Sequence, residues 1–181
     1  MGFGLDALGL AGLKLDSSPT YAGTGLLPVH DDGHAENDCS SLGITAKIRL
    51  GEAVIKTGNL MPKIPMLVYN DGRLLSQTFR SPQIEYSGIR DLYLHSGHLD
   101  KFKQRNSTDS VDIYPQGYTG SKGTDFDFAG ATHTFTPNLS GSWYYGEMRE
   151  FYQQQFFGLV HKLPVGSGSL MPYRLRITQG L

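Results

Sequence analysis

The sequence predicts an all-β protein built from antiparallel up-and-down strands, and it favours a transmembrane β-barrel over a soluble sheet. Three observations carry that prediction. Polar and apolar residues alternate over long runs, helical periodicity is nearly absent, and short connections alternate with long ones. Side chains alternate faces along a strand, so a period of two leaves one face apolar and the other polar. A soluble sheet packed on a core and a membrane barrel with a wet lumen both satisfy that pattern. Strand length and connection length separate them.

The first strand, Phe3 to Leu15, sets Phe3, Leu5, Ala7, Ala11, Leu13 and Leu15 on one face and the charged Asp6 and Lys14 on the other. A run of that length is long for an ordinary strand, and a tilted strand needs about 9–11 residues to cross a bilayer. From Ser41 to Leu50, Leu42, Ile44, Ala46, Ile48 and Leu50 alternate with Ser41, Gly43, Thr45, Lys47 and Arg49. Gly51 and Glu52 then turn the chain into a second run, Ala53 to Leu60, which carries Lys56. Strands are next expected at 82–87 and 91–100. Within 125–136, Phe126, Phe128 and Gly130 alternate with Asp125, Asp127 and Ala129. Within 139–147, Trp143 and Tyr145 fall on the side opposite Ser140, Ser142 and Tyr144. A strand at 156–163 precedes a last one at 170–178, where Tyr173, Leu175 and Ile177 alternate with Arg174 and Arg176. The best helix candidate is Gly146 to Phe156, with a weak stripe of Phe151, Tyr152 and Phe156.

Short turns are expected at Gly51–Glu52, around Ser87–Arg90, at Pro137–Asn138 and at Val165–Gly168. Between them lie long connections, Ser17–Ser40, Met61–Arg80, Phe102–Thr124 and Met148–Gln155. Loops of about 20 residues are uncommon inside compact domains. Short turns at one end and long loops at the other are the rule in outer-membrane barrels. Such barrels close with an even number of strands in a single bacterial chain, so a count of about nine predicts part of a larger barrel.

Composition narrows the function classes. Hydrophobic residues make up 39% and glycine contributes 23 residues, a mixture suited to strands with one apolar face. The net charge of −1, with no block of one sign, gives no reason to expect a nucleic-acid partner. A single cysteine, Cys39, excludes an internal disulfide and a multi-cysteine metal site. No apolar run reaches the roughly 18 residues of a transmembrane helix. The opening MGFGLDALGLAGLKLD lacks a basic start and does not read as a signal peptide, so export would rely on a signal outside this sequence. His30, Asp31, Asp32 and His34 are ligand types without ligand spacing, so no metal and no cofactor is expected. No G-x-S-x-G string occurs, and Val165–Ser169 has the wrong spacing, so the chain is not expected to be an enzyme.

The stretch SSLGITAKIRLGEAVIKTGNLMPKIPMLVYNDGRLLSQTF, Ser40 to Phe79, resembles the OprD-type family of substrate-selective outer-membrane porins. So do GHLDKFKQRNSTD (Gly97 to Asp109), WYYGEMREFYQQQFFGLVHKL (Trp143 to Leu163) and the opening GFGLDALGLAGLKLDS. The resemblance spans essentially the whole chain in order, and LMPKIPMLVYNDGRLL is more than β-patterning requires. It implies a bacterial outer-membrane barrel of about eighteen strands, of which this chain is the N-terminal half as a single incomplete domain. It also implies passive, selective diffusion of small solutes such as basic amino acids or carboxylates. The partners are then outer-membrane lipid and those solutes, with an intact parent that is monomeric. The residue pattern alone leaves a soluble β-sandwich ligand-binding module as the alternative.

The family's third outer loop folds inward to form a constriction, and here it maps to residues 61–80. Its Ile64, Met66, Leu67, Val68, Leu74, Leu75 and Phe79 are too apolar for a freely solvated loop. Docking on the barrel wall would cover them and present Tyr69, Asn70, Asp71 and Arg73 to the pore, where one acid, one base and a phenol select by charge and hydrogen bonding. An Asp-Gly turn at the same place is the simpler reading, and both can hold. By alternation Lys47, Arg49, Lys56, Arg174 and Arg176 face the lumen, as does Tyr144, while Trp143 and Tyr145 face lipid. For Lys47, Arg49 and Lys56 the plain alternative is a solvated sheet face.

Overall fold

The computed structural model describes residues 1–15, 27–29, 34–115, 117, 120, 123–165 and 169–180, and past residue 163 the side chains of Leu175 and Ile177 alone. The strands are β1 (Gly2–Leu13), β2 (Asp38–Leu50), β3 (Ala53–Leu60), β4 (Lys63–Ile64), β5 (Leu67–Val68), β6 (Thr78–Ile89) and β7 (Leu92–Leu99). They continue with β8 (Lys101–Lys103), β9 (Ser110–Asp112), β10 (Phe126–Thr136), β11 (Leu139–Met148), β12 (Tyr152–Val165) and β13 (Ser169–Gly180). Nine long strands run antiparallel in the order β1-β2-β3-β6-β7-β10-β11-β12-β13, each beside its neighbour in sequence. That is the up-and-down order expected from the alternation.

Register turns each strand's alternation into continuous rows. On one face Ile48, Ile55 and Ile84 line up across β2, β3 and β6, and Trp143, Phe157 and Ile177 line up across β11, β12 and β13. On the other face Lys47, Lys56, Gln83, Gly97, Phe128 and Gly146 form a row. The first face stays bare: Phe3 is 76% exposed, Leu5 70% and Leu42 69%. A soluble sandwich would cover that face with a second layer. Among the described residues no second layer covers it; the small β4–β5 hairpin and the core both lie on the opposite face.

That core comprises Phe79, Leu99, Phe102, Phe126, Phe128, Tyr144, Met148 and Phe156 with Ile64 and Ile113. Burial along β6 has period two, with Phe79, Ser81 and Gln83 buried and Arg80, Pro82 and Ile84 exposed. The long segments that follow β3 and β7 supply the cover.

Gly146 to Phe156 is not a helix. β11 continues to Met148, and Arg149, Glu150 and Phe151 turn the chain into β12, with Glu150 at φ 65° and the Phe151 amide donating to the Met148 carbonyl at 3.0 Å. Tyr152 and Phe156 are even-numbered and share the face on which Phe156 pairs with Tyr144, so their spacing serves a strand. The connection expected to be long at Met148–Gln155 is therefore a tight turn. β6 begins at Thr78, inside the expected loop, because β8 folds back and pairs with Thr78, Phe79 and Arg80. Phe102–Thr124 likewise contains β8 and β9 and is not a plain loop. Of the expected histidine and aspartate stretch only His34 is described, and Gly166–Gly168 falls outside the described residues.

Candidate functional site

The segment between β3 and β6 lies on the covered face of the sheet. β4 and β5 form a small hairpin, closed by the Tyr69 amide donating to the Pro62 carbonyl at 3.1 Å. Ile64 at its tip end is 2% exposed and belongs to the same cluster as Phe126, Phe128, Tyr144 and Phe156, with Met66, Leu67 and Tyr69 packed alongside. Gly146 makes room for it: a Cβ there would stand 2.9 Å from the Met66 sulfur. Further on, the Asn70 carboxamide oxygen accepts from the Gly72 amide and from Arg105 Nη1, both at 3.0 Å, while the Gln77 amide donates to the Asn70 carbonyl at 2.8 Å. Lys103 Nζ donates to the Ser76 carbonyl at 2.9 Å, and burial pushes its ammonium below the ordinary lysine value. Both ends of the segment are thus tied to the wall and to the segment after β7.

Between the hairpin and the wall is a recess of about 260 Å³, lined among others by Lys56, Lys63, Gln83, Glu85, His95 and Tyr144. Lys56 Nζ lies 2.5 Å from Glu85 Oε1. His95, 8% exposed, sits with Nε2 3.2 Å from Gln83 Oε1 and its ring edge-on to Phe128, centroids 4.9 Å apart. A proton on His95 Nε2 makes that contact a hydrogen bond and leaves Gln83 Nε2, buried, without a partner among the described residues. A second recess, about 370 Å³, lies on the β1–β3 side and shares Lys56, Leu60 and Met61 with the first; Lys47 and Lys103 also line it. Lys47 is ion-paired with Asp6.

A family model described as outer membrane porin, OprD family, matches residues 1–179. The chain belongs to the OprD family of outer-membrane porins. Porin-like protein GalP of Pseudomonas putida is 35% identical over 169 residues, covering 92% of this chain and 41% of the relative. Porin D of Pseudomonas aeruginosa is 32% identical over 177 residues, covering 98% of this chain and 40% of the relative. Among solved structures, Pseudomonas aeruginosa OpdK with vanillate superposes with TM-score 0.89 at 34% identity, over 99% of this chain and 46% of that one. A BenF-like porin from Pseudomonas fluorescens gives TM-score 0.90 at 34% identity, over 99% and 46%. The chain thus spans less than half the length of these OprD-family relatives. The family places the protein in the bacterial outer membrane, where an apolar face left bare, as on this sheet, is the one suited to lipid.

The expected site residues do not form one cluster. Lys56 and Tyr144 share the smaller recess, and Lys47 joins Lys56 in the larger one. Arg49 is exposed near the β2–β3 turn, opposite Val54. Tyr69 packs half-buried against the core with Lys63 Nζ 5.1 Å from its ring centre. Asn70 is occupied in holding the loop, Asp71 is exposed, and Arg73 is half-buried; none of these three lines either recess among the described residues. Arg174 and Arg176 stand opposite Val160 and Gly158 in register, but their side chains lie outside the described residues.

Glu85, Gln83 and Tyr93, which line the smaller recess, were not anticipated. Their signal is present in the sequence, because Ser81, Gln83 and Glu85 alternate with Pro82, Ile84 and Tyr86, as Tyr93 and His95 do with Leu94 and Ser96. Glu85 stands opposite Val54, diagonal to Lys56 on the same face, a placement that only register between β3 and β6 reveals.

Proposed function

We propose that this chain supplies nine wall strands of a channel through which small solutes diffuse passively and selectively across the outer membrane, and that residues 61–77 narrow it. The observation that carries the reading is Ile64, 2% exposed among side chains of the interior face, which anchors the segment inside the barrel. An apolar loop docked on the wall leaves a polar passage between itself and the opposite strands, the arrangement by which pores select. β1 and β13 are the free edges of the sheet, and in lipid their unpaired backbone groups require further strands. The single incomplete domain is completed by them.

For solutes, the reading is small carboxylates and basic amino acids. OpdK has been solved with vanillate, a carboxylate, and the recess offers Lys56 and Lys63 as donors and Glu85 as acceptor. Tyr69, Asp71, Arg73, Arg49, Arg174 and Arg176 contribute to the path on either side of the recess. The function is transport, with no catalytic step, and the channel is a monomer. The test is planar-bilayer recording on the outer-membrane protein that carries this chain. Discrete conductance steps are expected, and their absence from correctly folded protein would overturn the channel.

A further inference from the structure

Lys47 and Lys56 stand directly opposite one another across β2 and β3. Like charges so placed repel, yet each has an acid diagonal to it on the same face. Lys47 pairs with Asp6, and Lys56 with Glu85, whose strand neighbour Gln83 is the residue opposite Lys56. Lys56 and Glu85 retain 25% and 22% side-chain exposure, so both still face the recess. His95 Nε2 lies 4.0 Å from the same Glu85 oxygen. The expected row of positive charge along this wall is therefore compensated by two acids.

We infer that Glu85 is a specificity-determining residue of the pore: it holds Lys56 in an ion pair and so keeps the wall beside the recess near zero net charge. This deepens the channel reading and rests on it. With Glu85 in place a passing solute meets a lysine and a carboxylate together, so this stretch of wall offers donors and an acceptor rather than a net charge. Without the carboxylate, Lys56 stands uncompensated and the recess draws anions. A unit charge about 7 Å from a passing ion in water is worth roughly a factor of three in its local concentration, more at low salt.

The experiment measures reversal potentials in a potassium chloride gradient at low ionic strength, on the outer-membrane protein that carries this chain. Glu85→Gln should raise the chloride-to-potassium permeability ratio about threefold. Lys56→Gln should lower it by a similar factor, and the double variant should return it near the starting value. An unchanged ratio in Glu85→Gln protein with normal channel openings would overturn the assignment, because a purely structural ion pair alters stability and leaves selectivity alone. If Glu85→Gln fails to assemble, Lys56→Gln alone decides: no shift toward cations overturns the proposal. Loss of all conductance in the unsubstituted protein would instead sink the channel reading itself.

Discussion

Ile64 shows how one side chain fixes the position of the whole segment between β3 and β6. It is buried against aromatic residues of β10, β11 and β12, so truncating it leaves a cavity at the contact that holds the hairpin down. Ile64→Ala should weaken docking by about 2–5 kcal/mol, the usual cost of removing a buried branched side chain. Single-channel recording should then show larger, noisier openings; unchanged traces would show that the segment is held elsewhere. Gly146 tests the same contact from the wall. Gly146→Leu should displace Met66, which lies 2.9 Å from the position of an added Cβ, and produce the same phenotype. Adding Met66→Ala should quiet the openings in part, because Phe126 Cζ, 2.8 Å from the added Cβ, still has to shift; no improvement at all would argue that the glycine matters through Phe126 rather than through the hairpin. At this scale the sequence marked Ile64 and Met66 as needing cover, through their hydrophobicity, but carried no sign that the Asn70 carboxamide accepts from Gly72 and Arg105 and so ties the loop together.

At the scale of elements, β8 and β9 show the limit of local pattern. Three-residue strands have too little alternation to read, and they exist because β8 finds the free outer end of β6. The bidentate Arg80–Asp100 ion pair, in which Nε and Nη2 both donate to the carboxylate, clamps that junction. The hydrogen bonds from Arg80 hold the Asp100 carboxyl below its ordinary value of 3.8. A carboxylate depressed in this way stabilises the fold above the ordinary pKa, and the contribution disappears as pH falls through the lowered value. Amide protection of residues 101–112 should accordingly be flat from pH 7 to pH 5 and drop only below about pH 4, with Asp100→Asn removing the acid step. A loss of protection already near pH 6 would point to a histidine instead. The Gly146–Phe156 helix candidate failed for a related reason, since Tyr152 and Phe156, one turn apart on a helix, also share one face of a strand, and only pairing with β11 decides between them.

At the scale of the whole molecule, the two faces of the sheet must meet different solvents. In a background carrying Cys39→Ser, cysteines at Ile55, Leu94 and Ala131 should resist a water-soluble maleimide in the intact outer membrane. Cysteines at Lys47 and Thr132 should react. The reverse pattern would invert the sheet. The sequence by itself determined the antiparallel class, the nine long strands and the apolar outward face, because alternation is set by backbone geometry within each strand. Tertiary structure alone decided which acid meets which lysine, where the inward segment seats and how β6 gains its outer end. Those facts depend on register between segments far apart in the chain, and a strand's own residues carry no record of the partner's register.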